Sequence, residues 1–187
     1  PVCPEVEIGL GIPRDPVDII IENNKPILYH KKMDKNLTSK VNSFADVLLK
    51  EKIFDGFILK SKSPSCGLNT AKIYSGKDKS HLIRKGSGIF TTNIIEKFPY
   101  HPKIEEQDLY NEKIRTHFFT AIFVLADFRS IKNTDQLYKF HKKHIYLLMT
   151  YNKNILHKME NIAIPGHFDY SLLSNLSSES KEKLGRV

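Results

Sequence analysis

Two cysteines occur in this chain of 187 residues, and each sits in a turn-forming context: Pro1-Val2-Cys3-Pro4-Glu5 and Ser63-Pro64-Ser65-Cys66-Gly67. Proline and glycine beside a cysteine bend the backbone sharply, so a sulfur can point into a shared space. A thiolate is a soft ligand suited to zinc, copper(I) or iron–sulfur clusters. Two thiolates complete none of the common structural sites, which take four ligands. The residues themselves leave three readings open: a ligand lies outside the chain, the site is left open, or no metal is involved. A cysteine taken alone is most often a buried small apolar group. Ser63-Pro64-Ser65 taken alone is a turn whose hydroxyls bond the backbone.

Composition narrows the class. A hydrophobic fraction of 40% over 187 residues suffices for one good core or a little more. No apolar run reaches about 18 residues, which excludes a membrane-spanning helix. The start carries no signal-peptide pattern, and two cysteines make no secreted disulfide framework, so a reducing cytoplasm is the expected location. The first residue is proline and Cys3 follows almost at once, which reads as a start inside a longer protein.

The formal net charge of +8 is unevenly spread. Between Asn111 and Glu160, nine Lys and Arg stand against four Asp and Glu, a surplus of five in about a quarter of the chain. His117, His141, His144 and His157 lie in the same stretch. A basic face of this kind attracts phosphate backbones in a salt-sensitive way; an ordinary solvated lysine face is the plainer reading.

The elements that must position these groups divide into two halves. Asp18–Glu22 and Pro26–Tyr29 are short apolar runs around Asn23-Asn24, a strand–turn–strand pattern. Thr38 is placed to cap a helix in which Val41, Phe44, Ala45, Leu48 and Leu49 keep i, i+3, i+4 spacing. Asp55–Lys60 reads as a buried strand delivering the polar loop Ser61–Thr70, which carries Cys66. Strand, helix, strand and then a loop at the strand's carboxyl end is the logic of an open parallel sheet. Ala71–Tyr74 and Gly88-Ile89-Phe90 read as further short strand or turn pieces. Phe98-Pro99-Tyr100-His101-Pro102 breaks the pattern as a linker. Beyond it, Arg115–Phe128 is helical. After Asn133-Thr134 a second stripe runs through Leu137, Phe140, His144, Leu147, Leu148 and Tyr151 until Pro165-Gly166. His144 on that stripe reads as a core histidine, whereas His141, Lys142 and Lys143 read as nearer solvent. Glu7 and Arg14 read as a structural ion pair.

Two longer segments carry a resemblance. Cys3-Pro4-Glu5-Val6-Glu7-Ile8-Gly9-Leu10-Gly11-Ile12-Pro13-Arg14, with Lys60-Ser61-Lys62-Ser63-Pro64-Ser65-Cys66-Gly67-Leu68, resembles the thiouracil desulfidase family. Arg115–Phe119 and Phe140–Met149 are similar to the YbgA-like domain. The two occur fused in proteins similar to tRNA 4-thiouridine desulfidases, and the likeness covers roughly residues 1 to 155.

The resemblance implies a Rossmann-like α/β domain over residues 1–98, incomplete at its N-terminus, a linker over 99–110, and an all-α YbgA-like domain over 111–187. It implies a [4Fe-4S] cluster on three cysteines with one iron open. Two of these ligands map onto Cys3 and Cys66; the third belongs to an upstream cysteine loop and is absent from this chain. Glu5 is the implied proton relay, and Ser63 or Ser65 would orient the base or the water. The implied substrate is thiolated tRNA or thiouracil, with Lys139, His141, Lys142 and Lys143 as RNA-binding residues. The closing Asn-Val-Leu…His…Gly-Tyr signature of a full YbgA-like domain is not found, so the chain reads as an internal fragment. Two other readings stand beside this one: a nucleic-acid-binding module with a structural metal–cysteine site, and a desulfidase of free 2-thiouracil.

Overall fold

The computed structural model describes residues 1–79 and 81–151. Contacts divide the chain into two units: Pro1–Pro99 with Lys103–Asn111, and Tyr100–Pro102 with the chain from Glu112 onward.

In the first unit, β1 (Val17–Glu22) and β2 (Lys25–His30) form an antiparallel hairpin running from Val17↔His30 to Glu22↔Lys25. Asn23 and Asn24 turn it with φ of 49° and 60°. A two-residue hairpin turn asks for positive φ at both central positions, which asparagine tolerates better than most residues. The short β3 (Lys35–Asn36) pairs with β2, and α1 (Thr38–Glu51) follows. After β4 (Phe57–Leu59) comes the loop bearing Cys66, then β5 (Ala71–Tyr74) and β6 (Leu82–Gly86). The unit closes with α2 (Ile89–Lys97) and β7 (Lys103–Glu105), followed by a 3-10 turn over Glu106–Tyr110.

The sheet order is β3-β2-β1-β5-β6, with β4 and β7 forming a separate pair. One sheet face packs Ile19, Leu28 and Ile73 against Val41 and Ala45 of α1 and Ile94 of α2. Each large aliphatic side chain buried there contributes about 1.5–3 kcal/mol. The opposite face carries a smaller cluster of Ile20, Ile27 and Tyr29, with Tyr74 against it.

Four local expectations change. The sheet is mixed: β1 and β5 run parallel, as do β4 and β7, but the hairpin partners are antiparallel. Thr38 is the first helical residue and makes no cap. Its hydroxyl accepts the Leu28 N–H at 2.8 Å, tying α1 to β2, and Asn36 Oδ1 takes the Thr38 N–H instead. Gly88-Ile89-Phe90 opens a helix, because its N–H groups find acceptors in a distant loop. Residues 103–110, read as part of a linker, form β7 and the 3-10 turn.

The second unit contains α3 (Glu112–Arg129) and α4 (Thr134–Tyr151), and no strand among the described residues. Phe118, Ala121, Val124 and Leu125 of α3 and Leu137, Phe140 and His141 of α4 are buried. Phe128 meets Phe140 edge-on, with ring centroids 5.6 Å apart. Asn133 Oδ1 accepts the Gln136 N–H at 2.9 Å, which starts α4 where the sequence places it. The helix stop at Pro165-Gly166, the polar serine stretch, Lys153, His157 and Lys158 lie outside the described residues.

Candidate active site

The N-terminal motif folds back on itself. The Cys3 carbonyl accepts the N–H groups of Val6 and Glu7, both at 3.0 Å, opening a π-helical turn over Val6–Leu10. Gly9 and Gly11 have φ of 93° and 71°, a region that side-chain-bearing residues rarely adopt. The reversal they allow brings Arg14 back to Glu5 and Cys3. Arg14 Nε donates to Glu5 Oε2 at 2.6 Å, and Arg14 Nη2 to Cys3 Sγ at 3.4 Å. The expected Glu7–Arg14 pair is therefore replaced by Glu5–Arg14. Glu7 is exposed, whereas Glu5 is buried and presents the carboxylate that needs a counter-charge.

The second motif is a tight turn pinned from three sides. Ser63 Oγ accepts the N–H of Ser65 at 3.2 Å and of Cys66 at 3.1 Å, and the Ser63 carbonyl accepts that of Gly67 at 2.8 Å. The carbonyls of Pro64 and Ser65 accept the first N–H groups of α2, from Ile89, Phe90 and Thr91, at 3.0–3.2 Å. Those donors have no partner within the helix, so the loop serves as its cap. Thr91 Oγ1 adds a bond to the Cys66 carbonyl at 2.7 Å. A side-chain carbon at Gly88 would lie 2.3 Å from the Ser65 carbonyl carbon, which only glycine avoids.

Two adjacent carboxylates hold the same loop from the β7 end. Glu105 Oε1 accepts the Leu68 N–H at 2.7 Å and the Thr70 hydroxyl at 2.5 Å. Glu106 accepts Lys60 Nζ and both the N–H and hydroxyl of Ser61 at 2.5–2.9 Å. Burial would raise the Glu106 pKa, but the bonds from Lys60 and Ser61 outweigh it and hold the carboxyl down at about 2.

The two motifs meet at Glu5. The Ser65 hydroxyl, fully buried, donates to Glu5 Oε1 at 2.9 Å, so the carboxylate is gripped by Ser65 on one oxygen and Arg14 on the other. The Cys66 thiol is pushed up to about 12, first by burial and then by the nearby negative charges of Glu5 and Cys3, with the Ser63 hydroxyl acting the other way. The Arg14 guanidinium is raised above its usual value, first by its bond to Glu5. The structure thus brings Cys3, Glu5, Ser63, Ser65 and Cys66 together, with Arg14 as a sixth member whose partner the sequence did not disclose.

The helical candidates are distributed differently. His141 is buried, at 4% exposure, because it stands four residues after Leu137 on the same face; it does not lie toward solvent. His144 is largely buried, packs against Phe140 with the rings tilted by 50° and their centroids 4.7 Å apart, and bonds Asp127 Oδ2 at 3.0 Å, as a core histidine does. Lys139 pairs with Asp135 at 2.7 Å, Lys143 with Asp127 at 2.6 Å, and Lys142 lies over the Tyr138 ring at 4.7 Å.

Glu105, Glu106, Thr70 and Thr91 are the site-supporting residues that sequence reasoning missed. The acidic pair stands some forty residues from the loop it holds, and no local pattern joins them. A donor test of the implied cluster gives a partial fit. Cys3 and Cys66 are free, half-buried thiols electrostatically coupled to one another, which suits two positions on a soft metal centre. Among the described residues, no group of three or more His, Cys, Asp or Glu is arranged to hold a metal ion.

Fold and site together define an α/β domain that converges two thiols, a gripped carboxylate and buried hydroxyls at the ends of its elements. Residues 1–106 match the family model for 2-thiouracil desulfurase, and the chain belongs to that family. No curated protein and no solved structure matches the chain.

Proposed function

We propose that this protein desulfurises a thiolated uracil, exchanging the thiocarbonyl C=S for C=O with one water consumed and one hydrogen sulfide released. The observation that carries the reading is the chain Ser65–Glu5–Arg14–Cys3 beside the Cys66 thiol, within the residues that match the family. The finer reading takes the substrate to be 4-thiouridine in tRNA, with free 2-thiouracil as the minimal substrate.

Cys3 and Cys66 are proposed as two thiolate ligands of a [4Fe-4S] cluster, with the third thiolate from outside these residues. When bound, the cluster supplies a thiophilic Lewis acid to the thiocarbonyl sulfur. Glu5 is the general base that takes a proton from the attacking water. Arg14 holds one carboxylate oxygen and keeps the base oriented while placing positive charge beside the Cys3 sulfur. Ser65 fixes the other oxygen, and its complete burial excludes bulk water from that side. Ser63 shapes the turn that presents Cys66. In the helical unit, the exposed Lys139, Lys142 and Lys143 are proposed as secondary phosphate contacts, weakened by the internal partners they already hold, and the buried His141 supports them only through the packing of α4.

The test is anaerobic reconstitution with iron and sulfide, followed by sulfide release from 2-thiouracil and from thiolated tRNA. Wild type is expected to release sulfide in proportion to its iron content, and Cys66→Ser to lose both. Sulfide release by an iron-depleted protein at the wild-type rate overturns the cluster assignment; no release from either substrate overturns the desulfurase reading.

A further inference from the structure

The antiparallel ribbon of β5 and β6 grows directly out of the Cys66 loop. Gly88 N–H donates to the Gly67 carbonyl at 2.7 Å, the Ser87 hydroxyl donates to the Leu68 carbonyl, and Lys62 N–H donates to Thr70 Oγ1 at 2.6 Å. The ribbon end nearest the loop is the Ala71↔Gly86 pair, and the next pair along is Lys72↔Lys85. Both lysines are exposed. They share one sheet face as register partners, which places their Cβ atoms about 4.5–5.5 Å apart. Like charges directly opposite in an antiparallel pair repel and destabilise the ribbon.

Among the described residues, neither Lys72 nor Lys85 has a carboxylate ion pair, nor does Lys62, whose backbone N–H bonds Thr70 two residues before Lys72. The nearby acids on that face are taken: Asp18 by Lys79 at 2.6 Å and Asp34 by Lys77 at 2.6 Å. The contrast with α4 is direct, since two of its three candidate lysines are ion-paired and the third covers a tyrosine ring. Positive charge with no ion pair among the described residues therefore stands at the edge of the Cys66 loop, doubled by the Lys72↔Lys85 register. A paired cation set of this kind matches the repeating negative charge of a phosphodiester backbone.

Resting on the proposed action on thiolated uracil, we infer that Lys72 and Lys85, with Lys62, form the phosphate-binding surface that seats an RNA strand beside the Cys66 loop. The substrate of the site is then a thiolated uridine within RNA, held through its backbone while the base enters. The phosphates supply position and the base supplies the chemistry.

The experiment is titration of a fluorescently labelled single-stranded RNA containing one thiouridine, read by anisotropy at several salt concentrations, with the whole protein. Lys72→Ala with Lys85→Ala is expected to reduce the slope of log Kd against log salt by about 1.4, the value for two lost contacts on a single strand. Thermal unfolding of the same variant is expected at or above the wild-type temperature, since a repulsive pair is removed. An unchanged salt slope in the ribbon variant overturns the inference, as does the same loss appearing in Lys142→Ala with Lys143→Ala instead. Absence of salt-dependent RNA binding by wild type also overturns it, while sulfide release from free 2-thiouracil by that protein would leave the desulfurase reading standing. RNA binding through the ribbon without sulfide release has the opposite meaning: the surface stands and the desulfurase reading falls.

Discussion

Glu5 is the residue on which the site turns, because its two oxygens are claimed by groups from both motifs. Ser65 Oγ lies 2.9 Å from one and Arg14 Nε 2.6 Å from the other. Removing the buried hydroxyl in Ser65→Ala leaves a buried acceptor poorly satisfied, which costs about 1–3 kcal/mol, read as a lower midpoint in denaturant unfolding. The thiol of Cys66 gives a second residue-scale expectation. Raised from 9.0 to about 12 by burial and neighbouring negative charge, it holds roughly a thousandth of the ordinary thiolate population near neutral pH. Alkylation of the metal-free protein by iodoacetamide, mapped by mass spectrometry, is expected to modify Cys66 far more slowly than a cysteine in a short peptide. Both cysteines were legible from their type and turn context, whereas Glu5, Ser63 and Ser65 were singled out only through the resemblance of their motifs to the family. The partner of Arg14 was not legible: the reversal at Gly9 and Gly11 decides between Glu5 and Glu7, and backbone φ is not written in spacing.

At the scale of elements, the Cys66 loop is held by α2 and by the two carboxylates that end and follow β7. Gly88→Ala would force a carbon to within 2.3–2.6 Å of Ser65 and Cys66 backbone atoms, so it is expected to destabilise the fold by about 1–3 kcal/mol, measurable by thermal or denaturant unfolding. Glu106 adds a pH dependence whose sign follows from its depressed pKa. Folded, it titrates at about 2 against an ordinary 4.5, so its contribution is present above about pH 4.5 and is lost as pH falls toward 2. Glu106→Gln is expected to flatten that acid limb of stability and, after allowance for partial exposure, to cost about 1–2 kcal/mol at neutral pH. The β1–β2 hairpin, α1, α3 and α4 were legible from periodicity and turn residues. The start of α2 was not, since its first N–H groups are satisfied by carbonyls more than twenty residues earlier in the chain. The same holds for β7, whose partner β4 lies over forty residues away and whose three residues carry no pattern of their own.

For the whole molecule, the net charge of +8 matters less than where it is screened. The helical stretch supplies the surplus in sequence, yet Lys139 pairs with Asp135 one turn earlier in α4 and Lys143 with Asp127 on α3. Charge counting along a chain cannot see a pair across two helices such as Lys143–Asp127, nor the Lys72–Lys85 pair across strands, which has no ion pair among the described residues. No described helix is long and apolar enough to cross a membrane. The proposed function assigns proton transfer to one gripped carboxylate, Glu5, at a site where Cys3 and Cys66 would serve as sulfur ligands. The most direct measurement is sulfide release from 2-thiouracil by Glu5→Gln after anaerobic reconstitution, normalised to bound iron. Glutamine keeps an oxygen for Ser65 and loses the base, so iron content is expected to match wild type while turnover falls by ~10²-fold or more. Turnover per iron equal to wild type would contradict the account.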